Sequence, residues 1–211
     1  MLWEPEDRAE QCRILQIGTI DTENGILFGT ENKRGIQRDH LTLVIGSGGM
    51  GAAAIHAALQ KARQNLESDF DNYTKFILVD SDQRGMDSME KEQVKTLNIF
   101  VPGAYDRLRV SDRTDFFKKF VHHDYDVTKL GPYGLGADRM TGKIKFYDNA
   151  MGGSTNDTKF RDIIREIFAT DWSNRSNLLV DIMIVAGLSG GTGSGTFEEL
   201  AAHARKACIY S

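Results

Sequence analysis

Residues 187–206 read GLSGGTGSGTFEELAAHARK, and the six positions Gly190–Gly195 within them hold four glycines, with Thr192 and Ser194 interleaved. A predicted strand, Leu178–Val185, apolar apart from Asp181, leads straight into this stretch. After it, Phe197, Leu200, Ala201 and Ala204 recur at helical spacing over Thr196–Lys206. The pattern is therefore strand, glycine loop, helix. Glycine lets a backbone turn tightly and approach a ligand with no Cβ in the way. A helix start offers free N–H groups with the positive end of the helix dipole behind them. The two hydroxyls add further donors for phosphate oxygens. A plain strand-to-helix turn needs one or two glycines, so four of six point to an anion.

Working outward, the same arrangement occurs earlier. Leu41–Ile45 is an apolar strand interrupted only by Thr42, and it runs into Gly46-Ser47-Gly48-Gly49-Met50-Gly51. A helix is predicted over Gly51–Leu66, with Ile55, Ala58, Leu59, Ala62 and Leu66 on one face. Lys75–Val79 reads as the next strand, closing on Asp80-Ser81-Asp82, and Asp157–Ala169 as a further helix with an apolar stripe. Two strand–glycine loop–helix units predict an α/β fold: a largely parallel, Rossmann-like sheet with helices on both faces.

The chain is read as an N-terminal extension, residues 1–40, followed by one α/β domain over 41–211. The extension carries two short β-runs around Asn24-Gly25, which predict a hairpin. Residues 83–130 are polar, charge-dense and broken by Pro102-Gly103; apart from a helix near Asp112–Val121 they read as irregular.

The bulk properties fit this outline. The chain has 211 residues, 40% hydrophobic and 27% charged, with a net charge of −4. That is enough for one domain with a substantial core, and the acidic balance argues against a nucleic-acid partner. No apolar run approaches the ~20 residues of a membrane helix, and the acidic start is unlike a signal peptide, so a cytoplasmic protein is expected. Cys12 and Cys208 sit near opposite ends and read as idle thiols. His122-His123-Asp124 with Asp126 reads as a solvated turn, since adjacent ligands rarely satisfy one metal without a second segment. Ser47 and Ser194 have no visible His–acid partners and are not read as nucleophiles. No metal-ligand set is assigned.

Taken alone, the first loop also satisfies GxGxxG through Gly46, Gly48 and Gly51, which opens a second reading as an NAD- or FAD-binding protein. Asp80 or Asp82 would then meet the ribose, but they lie 29 or 31 positions past Gly51, where ~20 residues is usual. That reading leaves Gly190–Gly195 without a role.

Four segments in order resemble the tubulin/FtsZ superfamily: IGSGGMG at 45–51, FILVDSDQ at 76–83, GLGADRMTGK at 134–143 and the Gly190–Gly195 signature. With the strands around them they span residues 41–206, and the match is closer to divergent bacterial tubulin-like proteins than to FtsZ or eukaryotic tubulin. The resemblance implies a tubulin-type domain holding GTP or GDP with Mg2+, the guanine nucleotide's phosphates lying between two glycine loops. Gly48, Gly49 and Gly51 (with Met50 in the same loop, its side chain read as packing or loop filler) would face the phosphates from one side. Gly190, Gly191, Thr192, Gly193, Ser194 and Gly195 would face them from the other. Asp80 and Asp82 match the second loop near phosphate and magnesium. Gly136 and Ala137 match the third loop near the terminal phosphate, where Arg139 or Lys143 could offset charge, with solvated surface the preferred reading of both. Ala53 stands where FtsZ-like proteins carry an asparagine that contacts the nucleoside. The resemblance also implies head-to-tail self-association into filaments, with hydrolysis needing a second subunit. The family's ribose- and guanine-gripping elements, its long central helix and the acidic loop that activates water across a subunit interface would fall beyond Ser211, so this chain is expected to bind without efficient turnover. A third reading is a non-catalytic scaffold that keeps the fold.

Overall fold

A computed structural model describes residues 39–64, 70–99, 138–147, 155–173 and 178–209. The predicted N-terminal hairpin, the predicted helix near 112–121, Cys12 and the His122–Asp126 run lie outside the described residues, as do Gly136 and Ala137.

Four strands form one sheet: β1 (Asp39–Ser47), β2 (Thr74–Asp80), β3 (Lys95–Asn98) and β4 (Leu178–Ala186). Their order is β3-β2-β1-β4, and every pairing is parallel. β1 pairs with β4 along its whole length, from Asp39 opposite Leu178 to Ser47 opposite Ala186. The two strands that carry the glycine loops are therefore direct neighbours, and both loops leave the same end of the sheet.

Side-chain alternation divides the core in two. Leu41, Leu43, Ile45, Ile77 and Val79 point to one face, where Phe160, Ile164 and Ile167 of α5 (Asn156–Thr170) and Leu200, Ala204 and Ala207 of α6 (Gly191–Ile209) cover them. Val44, Phe76 and Leu78 point to the other. There Ile55 and Leu59 of α1 (Gly48–Gln64) and Met86 and Met89 of α3 (Gln83–Glu90) complete the layer. Both faces of β1 and β2 are thus dry, which is why their sequences read as continuous apolar runs. Burying a Leu or Ile side chain stabilises by ~1.5–3 kcal/mol, so this three-layer sandwich fixes the ends of β1, β2 and β4 relative to one another. The remaining helices are α2 (Phe70–Tyr73), one turn before β2, and α4 (Arg139–Tyr147), packed beside α6.

Three expectations need correction. Residues 83–99 are not irregular: they form α3 and β3. α3 is a polar helix with apolar anchors at Met86 and Met89, and β3 is a four-residue strand whose only buried member is Leu97, too little periodicity to read. The two glycine-loop helices begin at Gly48 and Gly191, earlier than the predicted Gly51 and Thr196. Most of each glycine loop is thus the first turn of a helix. Residues 139–143, matched to a loop, belong to α4.

Candidate functional site

The carboxyl ends of β1, β2 and β4 meet at one place, and small residues are what allow it. Gly48 has φ +68°, a left-handed conformation that disfavours any side chain. A Cβ there would stand 3.3 Å from the Gly193 nitrogen and 3.3 Å from Thr192 Cβ. A Cβ on Gly193 would press into the Gly187 carbonyl oxygen at 2.6 Å. One on Gly51 would meet the Gly46 backbone at 2.5 Å, so this glycine serves close packing of α1 on β1. By contrast, a Cβ on Gly49 or Gly190 would meet nothing within 4 Å. The loops are closed against each other on the inside and open on the outside.

Hydroxyls stitch the three loops together. Ser47, fully buried, lies 2.7 Å from Thr196 Oγ1. Thr196 donates its one proton to the Thr192 carbonyl at 2.9 Å, so Ser47 is the donor in that pair. Ser81 Oγ sits 3.3 Å from Thr192 Oγ1, joining the β2 loop to the β4 loop. Ser194 donates its hydroxyl back to the Gly190 carbonyl at 2.6 Å, and its amide bonds the same oxygen at 3.1 Å. Its proton is therefore spent within the helix. Thr192 is the hydroxyl of the loop that faces its neighbours.

Two helices start here side by side. The amides of Gly48, Gly49 and Met50 in α1, and of Gly191, Thr192 and Gly193 in α6, precede the first closed helical turn. Paired helix starts concentrate amide dipoles on one spot, an arrangement suited to an anion with several oxygens.

Asp80 is buried at the end of β2, and its Oδ1 accepts from the amides of Ser81 at 2.6 Å and Asp82 at 3.4 Å. Burial pushes its carboxyl above the usual range, and those two amides partly offset the shift. Asp80 is thus first a brace for its own loop. Asp82 follows on the exposed side of the same turn. Among the described residues, no group of three His, Cys, Asp or Glu side chains converges as a metal site. Magnesium carried on phosphates needs only one or two carboxylates and its own waters, which the Asp80–Asp82 turn fits.

A family model for tubulin-like proteins matches residues 43–209. The chain belongs to the tubulin-like family. No curated protein and no solved structure matches it. In this tubulin-like domain the four-stranded parallel sheet places the glycine positions singled out in the sequence, Gly48–Gly51 and Gly190–Gly195, in one cluster with Asp80 beside them. Met50 is exposed, 61% accessible, so of the two roles read for it, packing and loop filler, its side chain does not fill the first.

Sequence reasoning missed the structural roles of five residues. Ser47 and Thr196 were passed over because a hydroxyl pair 149 residues apart leaves no local signal. Arg139 is exposed, in keeping with its reading as surface, while Lys143 is partly covered, and both also contact α6. Arg139 Nε donates to the Ser194 carbonyl at 2.7 Å, and Lys143 lies 2.6 Å from Glu199 Oε1. Gly142 also looked like a loop glycine. A Cβ there would collide with the Gly191 carbonyl, so its role is to let α4 lie against the first turn of α6. Among the described residues, no helix is long and apolar enough to cross a membrane.

Proposed function

We propose that this tubulin-like chain binds GTP or GDP through the phosphates, at the junction of the β1, β2 and β4 loops. The observation that carries the reading is the pair of adjacent helix starts, with Gly49 and Gly190 opening outward where the internal glycines are packed shut. Gly49 lies in the first turn of α1, where an open-faced glycine costs up to ~1 kcal/mol against alanine, and no packing contact requires it there; Gly190, just ahead of α6, is equally open. A ligand seated on that surface would account for both. The amides of Gly48, Gly49 and Met50 would present one wall and those of Gly191, Thr192 and Gly193 the other, while Gly51 and Gly195 let the flanking elements pack closely behind them. Asp82, with Asp80 bracing its loop, would meet a magnesium ion through its waters. When bound, that ion supplies charge neutralisation on the phosphates.

The family resemblance extends the proposal to head-to-tail self-association, with nucleotide hydrolysis requiring a second subunit. A heterologous contact of that kind makes filaments when it does not close.

The NAD reading is disfavoured by Asp80. In that reading Asp80 or Asp82 must reach a ribose; Asp80 is buried and turned onto its own loop amides, which leaves Asp82, 31 positions past Gly51, where ~20 residues is usual.

The test is a thermal-shift titration with GTP, GDP, ATP and NAD, each with and without magnesium. A ligand at 100 times its Kd stabilises by about 2.7 kcal/mol, an easily read shift. Magnesium-dependent stabilisation by GTP is expected. Stabilisation by NAD alone would transfer the first loop to a dinucleotide, and stabilisation by none would leave the scaffold reading standing.

A further inference from the structure

We infer that Arg139 is a positioning residue for the phosphate-facing turn of α6, an inference that rests on the nucleotide reading above. Three contacts converge on its guanidinium, all within one turn of α6. Nε donates to the Ser194 carbonyl at 2.7 Å. The guanidinium carbon stands 5.4 Å from the centre of the Phe197 ring. Nη2 lies 3.8 Å from Glu198 Oε1.

The backbone beneath it is just as close. A Cβ on Gly195 would strike the Arg139 carbonyl, and one on Gly142 would strike the Gly191 carbonyl. Asp138 fixes the start of α4, its Oδ1 accepting from the amides of Met140 at 2.9 Å and Thr141 at 3.3 Å. The side chain of Arg139 is therefore launched from a capped helix end that cannot slide along α6.

Geometry makes the guanidinium the right group for this place. A glycine-rich first turn has little side-chain packing of its own to fix its dihedral angles. Ser194 O, a second lone pair of which is open to a donor outside the helix, gives a handle on the turn whose amides face the ligand. Arginine offers a planar fork that donates in the plane while stacking its face on an aromatic ring. Its positive charge also adds to the field of the helix start instead of opposing it. Arg139 thus acts through the amides of Gly191–Gly193, holding them in the conformation that a phosphate group would select.

Two measurements separate this from a general packing role. The first is hydrogen exchange of the ligand-free protein: Arg139→Ala is expected to speed exchange of the amides over residues 191–197 about tenfold, leaving those of α1 and β1 unchanged. The second is GTP affinity by isothermal titration. Arg139→Ala is expected to weaken binding about tenfold, and Arg139→Lys, which keeps the charge and a donor for Ser194, to recover to within about threefold. If Arg139→Ala does not fold, Arg139→Gln carries the same two measurements. Unchanged exchange in α6, or equal GTP affinity in the alanine and wild-type proteins, overturns the inference. A wild-type protein that binds no nucleotide overturns the nucleotide reading first, an outcome distinct from a binding wild type with an indifferent Arg139.

Discussion

Ser47 and Thr196, 149 residues apart, share a buried hydrogen bond of 2.7 Å that ties the end of β1 to the first turns of α6. Because Thr196 gives its own proton to the Thr192 carbonyl, the two ends of the bond are not equivalent. Ser47→Ala removes a donor and leaves an oxygen that has already found a partner. Thr196→Val strands the Ser47 hydroxyl in a fully buried position. Ser47→Ala should therefore cost about 1 kcal/mol and Thr196→Val nearer 2–3 kcal/mol. Urea midpoints of the two variants check the order, and the double variant should cost less than their sum.

The open glycines separate folding from ligand binding. Alanine at Gly49 or Gly190 meets no atom within 4 Å. Gly49 lies in a helix at negative φ, so the substitution should stabilise the ligand-free protein by ~0.4–1 kcal/mol through the unfolded state. If phosphates occupy that space, the same methyl group should weaken GTP binding about tenfold or more. Gly48→Ala behaves in the opposite sense, since φ +68° and the approach of Gly193 strain the folded state itself. Melting temperatures with and without GTP distinguish the two classes. A Gly49→Ala protein that binds GTP normally would remove the ligand from this surface.

What the sequence made legible follows from where burial is two-sided. β1 and β2 could be read because strands inside a sandwich become apolar runs, β4 because it stays apolar apart from Asp181 although only partly buried at the sheet edge, and the glycine loops because so many glycines in six positions exceed what a turn needs. α3 and β3 could not be read, because each has one or two buried side chains and otherwise faces solvent. The adjacency of the two glycine loops was not legible either. It rests on the β1–β4 pairing, a contact across more than a hundred residues that no local pattern encodes. The double duty of Gly142 and Arg139 was hidden for the same reason, since each is defined by its partner on α6.

A buried polar cluster between α4, α5 and α6 makes stability sensitive to mild acid. His203 Nε2 lies 3.2 Å from the Tyr147 hydroxyl, which also donates to Glu199, and Nδ1 lies 3.9 Å from Asp157. Burial holds the imidazole pKa below its ordinary value, outweighing the attraction of Asp157 and Glu199, while Arg161 and Lys206 push the same way as burial. A folded-state pKa below the unfolded one means the stabilisation is complete above ~6.5. It is lost as the pH falls through the lower, folded value. Urea unfolding should therefore show declining stability below pH ~6.5, and His203→Gln should flatten that decline. An identical slope in the variant would assign the acid sensitivity to other groups.

Gly142 reverses the usual rule for helix glycines. In an exposed helix, Gly→Ala stabilises by ~1 kcal/mol. Here a Cβ would overlap the Gly191 carbonyl, and 3.2 Å away lies the Gly195 α-carbon, so neither neighbour can retreat without moving the α6 backbone. Gly142→Ala should destabilise by roughly 1–3 kcal/mol, as overpacking does. It should also displace the first turn of α6. GTP affinity should then fall alongside stability, unlike Gly49→Ala, where affinity alone should fall. If α4 instead yields and slides outward, stability will drop while GTP affinity holds, and the contact between α4 and α6 would be structural support with no hold on the phosphate-facing turn.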